Sequence, residues 1–337
     1  MENYGKWALL LGFVSFSAQS ALGIADYKGA NESVETKRDE KMADGWSYKD
    51  DVGGSLSFGS SQDVIGQTDG DSTTLGLNLL GGANYRSKKL ESKNSLKLKA
   101  ATTKTPTIPR YIKSNDELRL DSRQLYFPDG WTKWGPYAKV TVVTTAFEGR
   151  DEQTEEKDYV ITRRDGTVEN ETATSLKLTD ALKPVTSRET IGILGKIKET
   201  KTFVFETYFG LGAIQVDAKG QLIVKDDADT DTVEVIELQS YSQAGLEAGF
   251  KVEGQLSESS TYSFEVDTLT PFVYDKNAVG DKSGTELMNV EAKAKLTSKA
   301  TSWLGLSFEA SYVKQPQLAD VDQIQTLMVM NFTYSVF

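Results

Sequence analysis

The sequence contains neither cysteine nor histidine among its 337 residues. Without cysteine, the chain has no disulfide, no thiolate metal site and no lipid-modified amino-terminal cysteine. Without histidine, it lacks the commonest general base and metal ligand, and every Ser-His or Cys-His catalytic pair. Catalysis would have to rely on carboxylates acting alone as general acid and base. We therefore expect a protein that is not an enzyme and holds no cofactor, with carboxylate-only catalysis left open.

Positive charge is also in short supply. There are 38 Lys+Arg residues against 49 Asp+Glu residues, which gives a formal net charge of −11. Because phosphate binding needs a basic surface, nucleic acid is not an expected partner. Proline is scarce as well, with 7 residues, whereas 28 glycines, 14 tyrosines and 14 phenylalanines suit an all-β chain with many turns.

Long apolar runs are rare, and the clearest one stands at the amino terminus. Residues 7–16 read WALLLGFVSF and follow Lys6. Ten residues are too few for a membrane-spanning helix, which needs about 20, so a short membrane anchor fits poorly. Small residues follow, with candidate cleavage points after Gly23 and Ala25. The pattern predicts a secretory signal peptide over residues 1–25 and an exported chain, followed by a polar periplasmic tail over residues 26–45.

From Trp46 onward, apolar and polar residues alternate with a period of two. In one example, Val290, Ala292 and Ala294 alternate with Glu291 and Lys293. This period is the mark of a strand with one apolar and one polar face. Twelve such segments are predicted: 46–60, 73–86, 93–103, 115–127, 137–149, 188–198, 202–217, 232–256, 260–274, 285–298, 302–314 and 323–337.

The connections between these segments alternate between short and long. Tight turns such as ETKT and SKAT are followed by long polar loops, the longest of which covers residues 150–187. An even number of strands with short turns at one end and long loops at the other is typical of a transmembrane β-barrel. A soluble sandwich or propeller is the alternative, but it gives loop lengths no reason to alternate. We predict an all-β, antiparallel, up-and-down transmembrane barrel of about 12 strands over residues 46–337, with its apolar faces towards lipid and its long loops outside the cell.

Aromatic residues support this orientation. Most of those near strand ends fall near the end of the barrel that carries the short turns, as an interfacial aromatic girdle would require, although aromatic residues are also common in strands generally. The set comprises Trp46, Tyr48, Tyr85, Tyr126, Trp131, Trp134, Tyr262, Trp303, Phe332 and Tyr334.

After about Trp46 the chain resembles Gram-negative outer-membrane β-barrel proteins. It ends NFTYSVF, and in that family a terminal aromatic residue such as Phe337 is recognised by the barrel-assembly machinery. The family places apolar residues at every second position before the last Phe, whereas Ser335, Thr333 and Asn331 occupy those positions here. The stretch GGSLSFGSS also resembles the salt-induced outer-membrane barrels. The resemblance implies a Gram-negative outer-membrane location in contact with lipid and lipopolysaccharide.

The polar faces differ in charge around the predicted ring. Residues predicted to line a pore on one wall are basic, and those on the opposite wall are acidic. The basic set is Arg86, Lys97, Lys99, Arg119, Arg123, Lys139 and Lys196. The acidic set is Glu206, Glu247, Glu253, Glu265, Asp267, Glu291 and Glu309.

Two interpretations of this charge pattern remain open, because a bore of 12 strands lies between filled and open barrels. In the first, the walls enclose a water-filled passive channel for small hydrophilic solutes, with a transverse field similar to the constriction of general porins. In the second, the two charge sets meet as salt bridges, and the acidic external loops of a closed structural barrel bind a partner or divalent cations.

Two features of the long loops stand out. Asp227, Asp229 and Asp231 occupy alternate positions, as the first ligands of a calcium-binding loop do. The rest of the loop does not match, because Thr232 occupies the position of the turn glycine and Leu238 that of the bidentate Glu. They are a weak candidate for divalent cations, and the alternative is a solvated charge run. In the longest loop, YVITRRDGTVE predicts a hairpin with a tight turn at its Asp-Gly pair.

Overall fold

The computed structural model describes residues 44–61, 70–106, 108, 110–200, 202–225, 230–275, 282–301, 304–317 and 319–335. The predicted signal peptide and almost all of the predicted polar tail lie outside this part of the chain. Within it, no helix is both long and apolar enough to cross a membrane.

The described residues form sixteen strands and one short 3-10 helix, Gly284–Leu287. In chain order, the strands are β1 Gly45–Ser61, β2 Gly70–Arg86, β3 Leu90–Lys104, β4 Ile112–Tyr126, β5 Trp134–Thr144, β6 Gly149–Thr162, β7 Val168–Thr179, β8 Val185–Glu199, β9 Phe203–Asp217, β10 Leu222–Val224, β11 Val233–Glu237, β12 Tyr241–Ser257, β13 Ser260–Tyr274, β14 Asn289–Lys299, β15 Leu304–Gln315 and β16 Ala319–Ser335.

Twelve of these strands are hydrogen-bonded in a ring, in the order β1-β16-β15-β14-β13-β12-β9-β8-β5-β4-β3-β2. Every neighbouring pair in the ring is antiparallel, and β1 pairs with β16 to close the ring. The predicted all-β, antiparallel, up-and-down arrangement is therefore confirmed.

The other four strands form a separate sheet in the order β10-β11-β6-β7. They leave the ring after β5 and after β9, at the long-loop end of the barrel. Strands β6, β7 and β10 lie almost entirely in predicted long loops, whereas β11 lies within the predicted segment 232–256. We call them the external sheet. The predicted hairpin is confirmed: β6 pairs with β7 around Gly166, whose φ of 85° lies in the left-handed region that favours glycine.

Three predicted segments were wrong in their limits. Segment 285–298 began too early, because Gly284–Leu287 form the 3-10 helix and β14 begins at Asn289. The other two ran through a change of sheet. Segment 232–256 was predicted as one strand, but β11 ends at Glu237 and β12 begins at Tyr241, in a different sheet. Segment 137–149 was also predicted as one strand, but β5 ends at Thr144 and Gly149 begins β6. In both places, apolar and polar residues keep alternating where the chain passes from one sheet to the other, and no proline interrupts them. The pattern alone therefore does not show where one strand ends and the next begins.

The ring has polar residues inside and apolar residues outside. Arg119 and Glu247 are each 1% exposed, whereas Leu96 is 52% and Phe209 59% exposed. Burial of charge together with exposure of apolar surface is unfavourable in water, but it is the arrangement that a barrel needs when its outer face contacts lipid.

Aromatic side chains gather on the outer face at the short-turn end. Trp46 stacks on Tyr48 with ring centroids 6.1 Å apart and lies 5.3 Å from Tyr85. The Trp134 ring lies against Gly195, where a Cβ atom would come within 2.5 Å of it. This agrees with the predicted girdle. Trp303, and the side chains of Phe332 and Tyr334, are outside the described residues.

The external sheet has the opposite distribution. One face carries an apolar cluster of its own, and its outer edges are polar and exposed. The buried members of the cluster come from all four strands: Tyr159, Ile161, Leu176, Leu178, Leu222, Val233 and Val235.

Candidate functional site: the barrel interior

The structure places all fourteen residues that were predicted to line a pore on the inner face of the ring. They share the phase of the buried polar positions on their strands. The basic set lies on β2, β3, β4, β5 and β8, and the acidic set on β9, β12, β13, β14 and β15. Whether they line a conducting pore stays a prediction.

The basic wall contains carboxylates that bind its charges locally. The Arg119 guanidinium donates two hydrogen bonds to Asp121, of 2.6 and 2.8 Å, and Thr141 donates a third of 2.9 Å. Lys97 Nζ lies 4.0 Å from the same carboxylate. Such bidentate, charge-assisted pairs are among the stronger hydrogen bonds in proteins.

Two further ion pairs cross the lumen between strands that are not neighbours. Arg123 on β4 donates a 2.9 Å hydrogen bond to Glu206 on β9, and β5 and β8 stand between these strands in the ring. Lys196 on β8 donates hydrogen bonds of 2.6 and 2.8 Å to the two oxygens of Glu91 on β3. The basic and acidic walls therefore touch through Arg123 and Glu206, whereas Lys196 and Glu91 join two strands of the basic wall.

A third crossing is made by Arg188 of β8. Its guanidinium lies 3.1 Å from Glu247 and 3.7 Å from Glu291, and Thr190 donates a 2.8 Å hydrogen bond to Glu247. One cation thus stands between carboxylates on two strands, β12 and β14. Since a buried charge is tolerable only when it is paired and hydrogen-bonded, this network explains how the interior holds so many ionisable groups.

Apolar clusters lie beside the ion pairs, one in each half of the barrel. Leu125, Tyr137 and Leu194 form a buried cluster in the short-turn half, with the Tyr137 and Tyr208 rings edge to face at 5.7 Å. The Tyr208 ring needs Gly249 beneath it, because a Cβ atom there would come within 2.5 Å of the phenol oxygen.

Towards the long loops, a second buried cluster closes over the inner face. It contains Ile214, Val216, Ala218, Leu238, Tyr241 and Leu269, and Ile223 of the external sheet packs against it. Gln317, which follows β15, donates a hydrogen bond to Gln243 of β12 across the same end. Buried side chains therefore occupy the described interior in both halves of the barrel, beside the ion pairs.

Sequence reasoning missed Glu91 and Arg188 as interior residues. Both could have been assigned to the interior from the alternation of apolar and polar residues. Ile191 and Ile193 are on the outer face of β8, and this assigns Arg188 to the same inner phase as Lys196. Glu91 is in phase with Lys97, but the predicted segment began two residues too late to include it.

The candidate cation residues are only partly described. Asp227 and Asp229 lie outside the described residues, and Asp231 is exposed just before β11. Among the residues that the structure describes, no group of three acidic side chains is arranged to hold a metal ion. Phe337 also lies outside them, so its recognition by assembly machinery stays a prediction.

At the base of the external sheet lies one buried polar group. The Asp151 carboxylate accepts hydrogen bonds of 2.8 Å from the Tyr159 hydroxyl and from Gln153. Burial, followed by the hydrogen bond to Asp151, raises the pKa of Tyr159 well above its ordinary value. Arg110, from the β3–β4 loop, binds the next residue, Glu152, at 2.5 Å and so ties the external sheet to the rim.

No family model and no curated protein sequence matches the chain. Among solved structures, the chain is similar to outer-membrane β-barrel proteins. The β domain of the Bordetella autotransporter BrkA is 10% identical over 87% of this chain and 99% of that chain, with a TM-score of 0.36. An outer-membrane channel from Pseudomonas putida F1 is 9% identical over 88% of this chain and 97% of that chain, with a TM-score of 0.39. The NanC porin is 9% identical over 84% of this chain and 98% of that chain, with a TM-score of 0.36. Likeness at this level says nothing about what the chain binds or transports.

Proposed function

We propose that the chain is a twelve-stranded barrel of a Gram-negative outer membrane and acts as a narrow channel for small hydrophilic solutes, closed in this structure by its own ion pairs. The observation that carries the proposal is the set of charged side chains that meet across the lumen: Arg123 with Glu206, Lys196 with Glu91, and Arg188 with Glu247 and Glu291.

The outer face supports the membrane location. Val140, Ile191 and Leu211 lie on three different strands of the ring, and each is more than a third exposed. Apolar surface that continues around a ring of strands is stable against lipid chains, and pairing between neighbouring strands supplies partners for most backbone groups of the ring.

The charged side chains of the interior favour a transport role over a purely structural one. If the bore had only to be filled, apolar side chains of similar volume would be as stable as buried ion pairs or more so. Ionisable residues within a membrane protein commonly mark the path of a solute or ion. Arg188 already contacts two carboxylates, so its head group can exchange partners while the wall stays in place.

The expected solutes follow from the arrangement of charge. Lys97 and Lys99 stand on β3, whereas Glu291 and Glu309 stand on β14 and β15. A transverse field between such walls orients dipolar or zwitterionic molecules and disfavours apolar ones.

The test is the conductance of single refolded barrels in a planar bilayer under a salt gradient. Discrete steps are expected, with ion selectivity that depends on the inner charges. Replacing Lys97, Lys99 and Arg123 with Glu should increase cation selectivity. The matched control replaces Lys157, Arg164 and Lys177 of the external sheet with Glu, which changes the net charge equally but leaves the lumen intact. Equal selectivity in the two variants would remove the three inner residues from the pathway.

A second candidate function is favoured by the apolar cluster of Leu125, Tyr137 and Leu194. Such a layer suits a permanently closed structural barrel whose external sheet and acidic loops bind a partner or divalent cations. Inserted barrels that stay silent at all voltages would favour this candidate. Calorimetric titration of the same preparation with Ca²⁺ would then measure binding by the loops.

A further inference from the structure

The ring is joined unevenly at the seam, the boundary between β1 and β16. Residues 45–61 of β1 all pair with β2, but only residues 51–55 pair with β16. On its other side, β16 pairs with β15 through Phe332. Within the described strands, residues 56–61 of β1 and 325–330 of β16 therefore have no ladder partner across the seam.

The unpaired stretches lie in the half of the barrel nearer the long loops, where β1 ends and β16 begins. In an antiparallel ladder, alternate residues direct both their N–H and C=O groups to the same neighbour. About three residues on each edge therefore direct backbone groups into the seam. Each unsatisfied group in the hydrocarbon region costs several kcal/mol, so these edges need a hydrogen-bonding partner.

The register shows that the seam can close without rearrangement. The last pair is Ser55 with Asn331. Continued without a shift, it would bring residues 56–61 opposite residues 330–325. The same register would allow a fully paired seam, and the structure holds the seam with five pairs.

The described residues on the lumen side of the seam are polar or small. Lys49 Nζ lies 3.1 Å from Asp51, and the Ser55 hydroxyl lies directly over Gly76, where a Cβ atom would come within 2.2 Å of it. On the outer side, Val52 and Leu56 are exposed towards the bilayer. A molecule placed in the seam would meet polar groups on one side and lipid on the other.

We propose that the barrel wall opens laterally at this seam and binds a membrane amphiphile, whose head group hydrogen-bonds the unpaired backbone groups while its acyl chain stays in the bilayer. An acyl chain alone does not satisfy N–H and C=O groups, and a water-soluble solute has no reason to face the bilayer. The proposal goes beyond the channel function and does not depend on it.

The first test uses the absence of cysteine from the chain. One variant carries Ser57→Cys and Val329→Cys, which face each other in the continued register. The control carries Gly53→Cys and Thr333→Cys, which are partners in the structure. The two pairs are four residues apart and occupy the same type of position in the ladder. In vesicles under mild oxidation, the control pair should cross-link rapidly and the 57/329 pair several-fold more slowly. Equal rates would overturn the opening.

The second test asks what occupies the seam. A fluorophore on Ser55→Cys, which faces the lumen beside the opening, should be quenched by phospholipids with brominated acyl chains. Leu56→Cys, on the lipid face, should be quenched in either state, and Ser95→Cys, on the inner face of β3, should not be quenched. A fluorophore at position 55 that is quenched no more than the one at position 95 would overturn the amphiphile. A partner strand or a closed seam would produce that result. Neither measurement depends on conductance.

Discussion

The ring and the external sheet are built from the same kind of alternating strand but turn opposite faces inward. In the ring, Arg119 is inside and Leu96 outside, whereas in the external sheet Ile161 is inside and Glu169 outside. A period of two separates the faces in both regions. With the proposed membrane location, what decides between the faces is the medium beyond the sheet: lipid around the ring, and water around the external sheet.

The two regions also hold themselves together differently. The ring interior relies on ion pairs such as Lys196 with Glu91, each of which must be complete because a lone buried charge is costly. The external sheet relies on an apolar cluster, where loss of one contact leaves the others in place. Asp151 with Tyr159 is the exception, a buried polar pair inside an apolar cluster.

The largest expected effect comes from breaking an ion pair inside the ring. Glu91→Leu leaves the Lys196 ammonium without its main partner, and we expect the free energy of unfolding to fall by about 3–5 kcal/mol. The double variant Glu91→Leu with Lys196→Met should recover most of this loss. Urea unfolding of barrels refolded in vesicles measures both. A single variant as stable as the double variant would show that the pair is already solvated.

The second effect tests the reversal of the faces directly. Val140 on β5 is 41% exposed and Val168 on β7 is 56% exposed. Val140→Lys should lower stability by about 2–4 kcal/mol if it faces lipid near the middle of the bilayer. Val168→Lys should change stability by less than about 0.5 kcal/mol, as surface substitutions usually do. Similar losses in the two variants, measured by urea unfolding in vesicles, would contradict the membrane location of the ring.

The third effect concerns the buried polar pair of the external sheet. Tyr159→Phe removes a hydrogen-bond donor from the buried Asp151 carboxylate, at a local cost of about 1–3 kcal/mol. Faster hydrogen exchange is expected in β6 and β7, with no change in the ring. Tyr48→Phe, at an exposed position of the aromatic girdle, is the matched control. A change that spread to the ring strands would mean that the two regions unfold as one unit.

The smallest effect lies at the tip of the β6–β7 hairpin. Arg163 donates two hydrogen bonds to Glu169, of 3.1 and 2.9 Å, and these lower the pKa of the Glu169 carboxyl. Because the folded-state pKa is lowered, the stabilisation is present above the ordinary pKa of Glu and is lost as pH falls through the folded-state pKa. Proteolysis at the tip should therefore increase slightly in acid. Glu169→Gln should reduce this pH dependence and Glu171→Gln should leave it unchanged, while the Asp165 carboxyl of the same turn, whose pKa is lowered by hydrogen bonds from Thr167, supplies the remainder. The opposite pattern would place the titrating group elsewhere.

The ring strands could be predicted from the sequence because each carries its own alternation. The predicted segment 260–274 coincides with β13, and segment 202–217 begins one residue before β9. β10 was missed because it has only three residues, and β11 was wrongly joined to β12 because its pairing is parallel, with β6, which lies far away in the sequence. Parallel pairing of distant segments leaves no local signal.

The sequence by itself determined which residues share a face, and hence that a basic and an acidic set would point the same way around a ring. The sequence also excluded disulfides and catalytic pairs that need cysteine or histidine, because it contains neither residue. Only the tertiary structure decided that the two charge sets meet, because partners such as Arg123 and Glu206 lie 83 residues apart. Their distance depends on the stagger and closure of the whole barrel, and no local pattern encodes either. The same holds for the five pairs at the seam, since two strands from opposite ends of the chain become neighbours only when the ring closes.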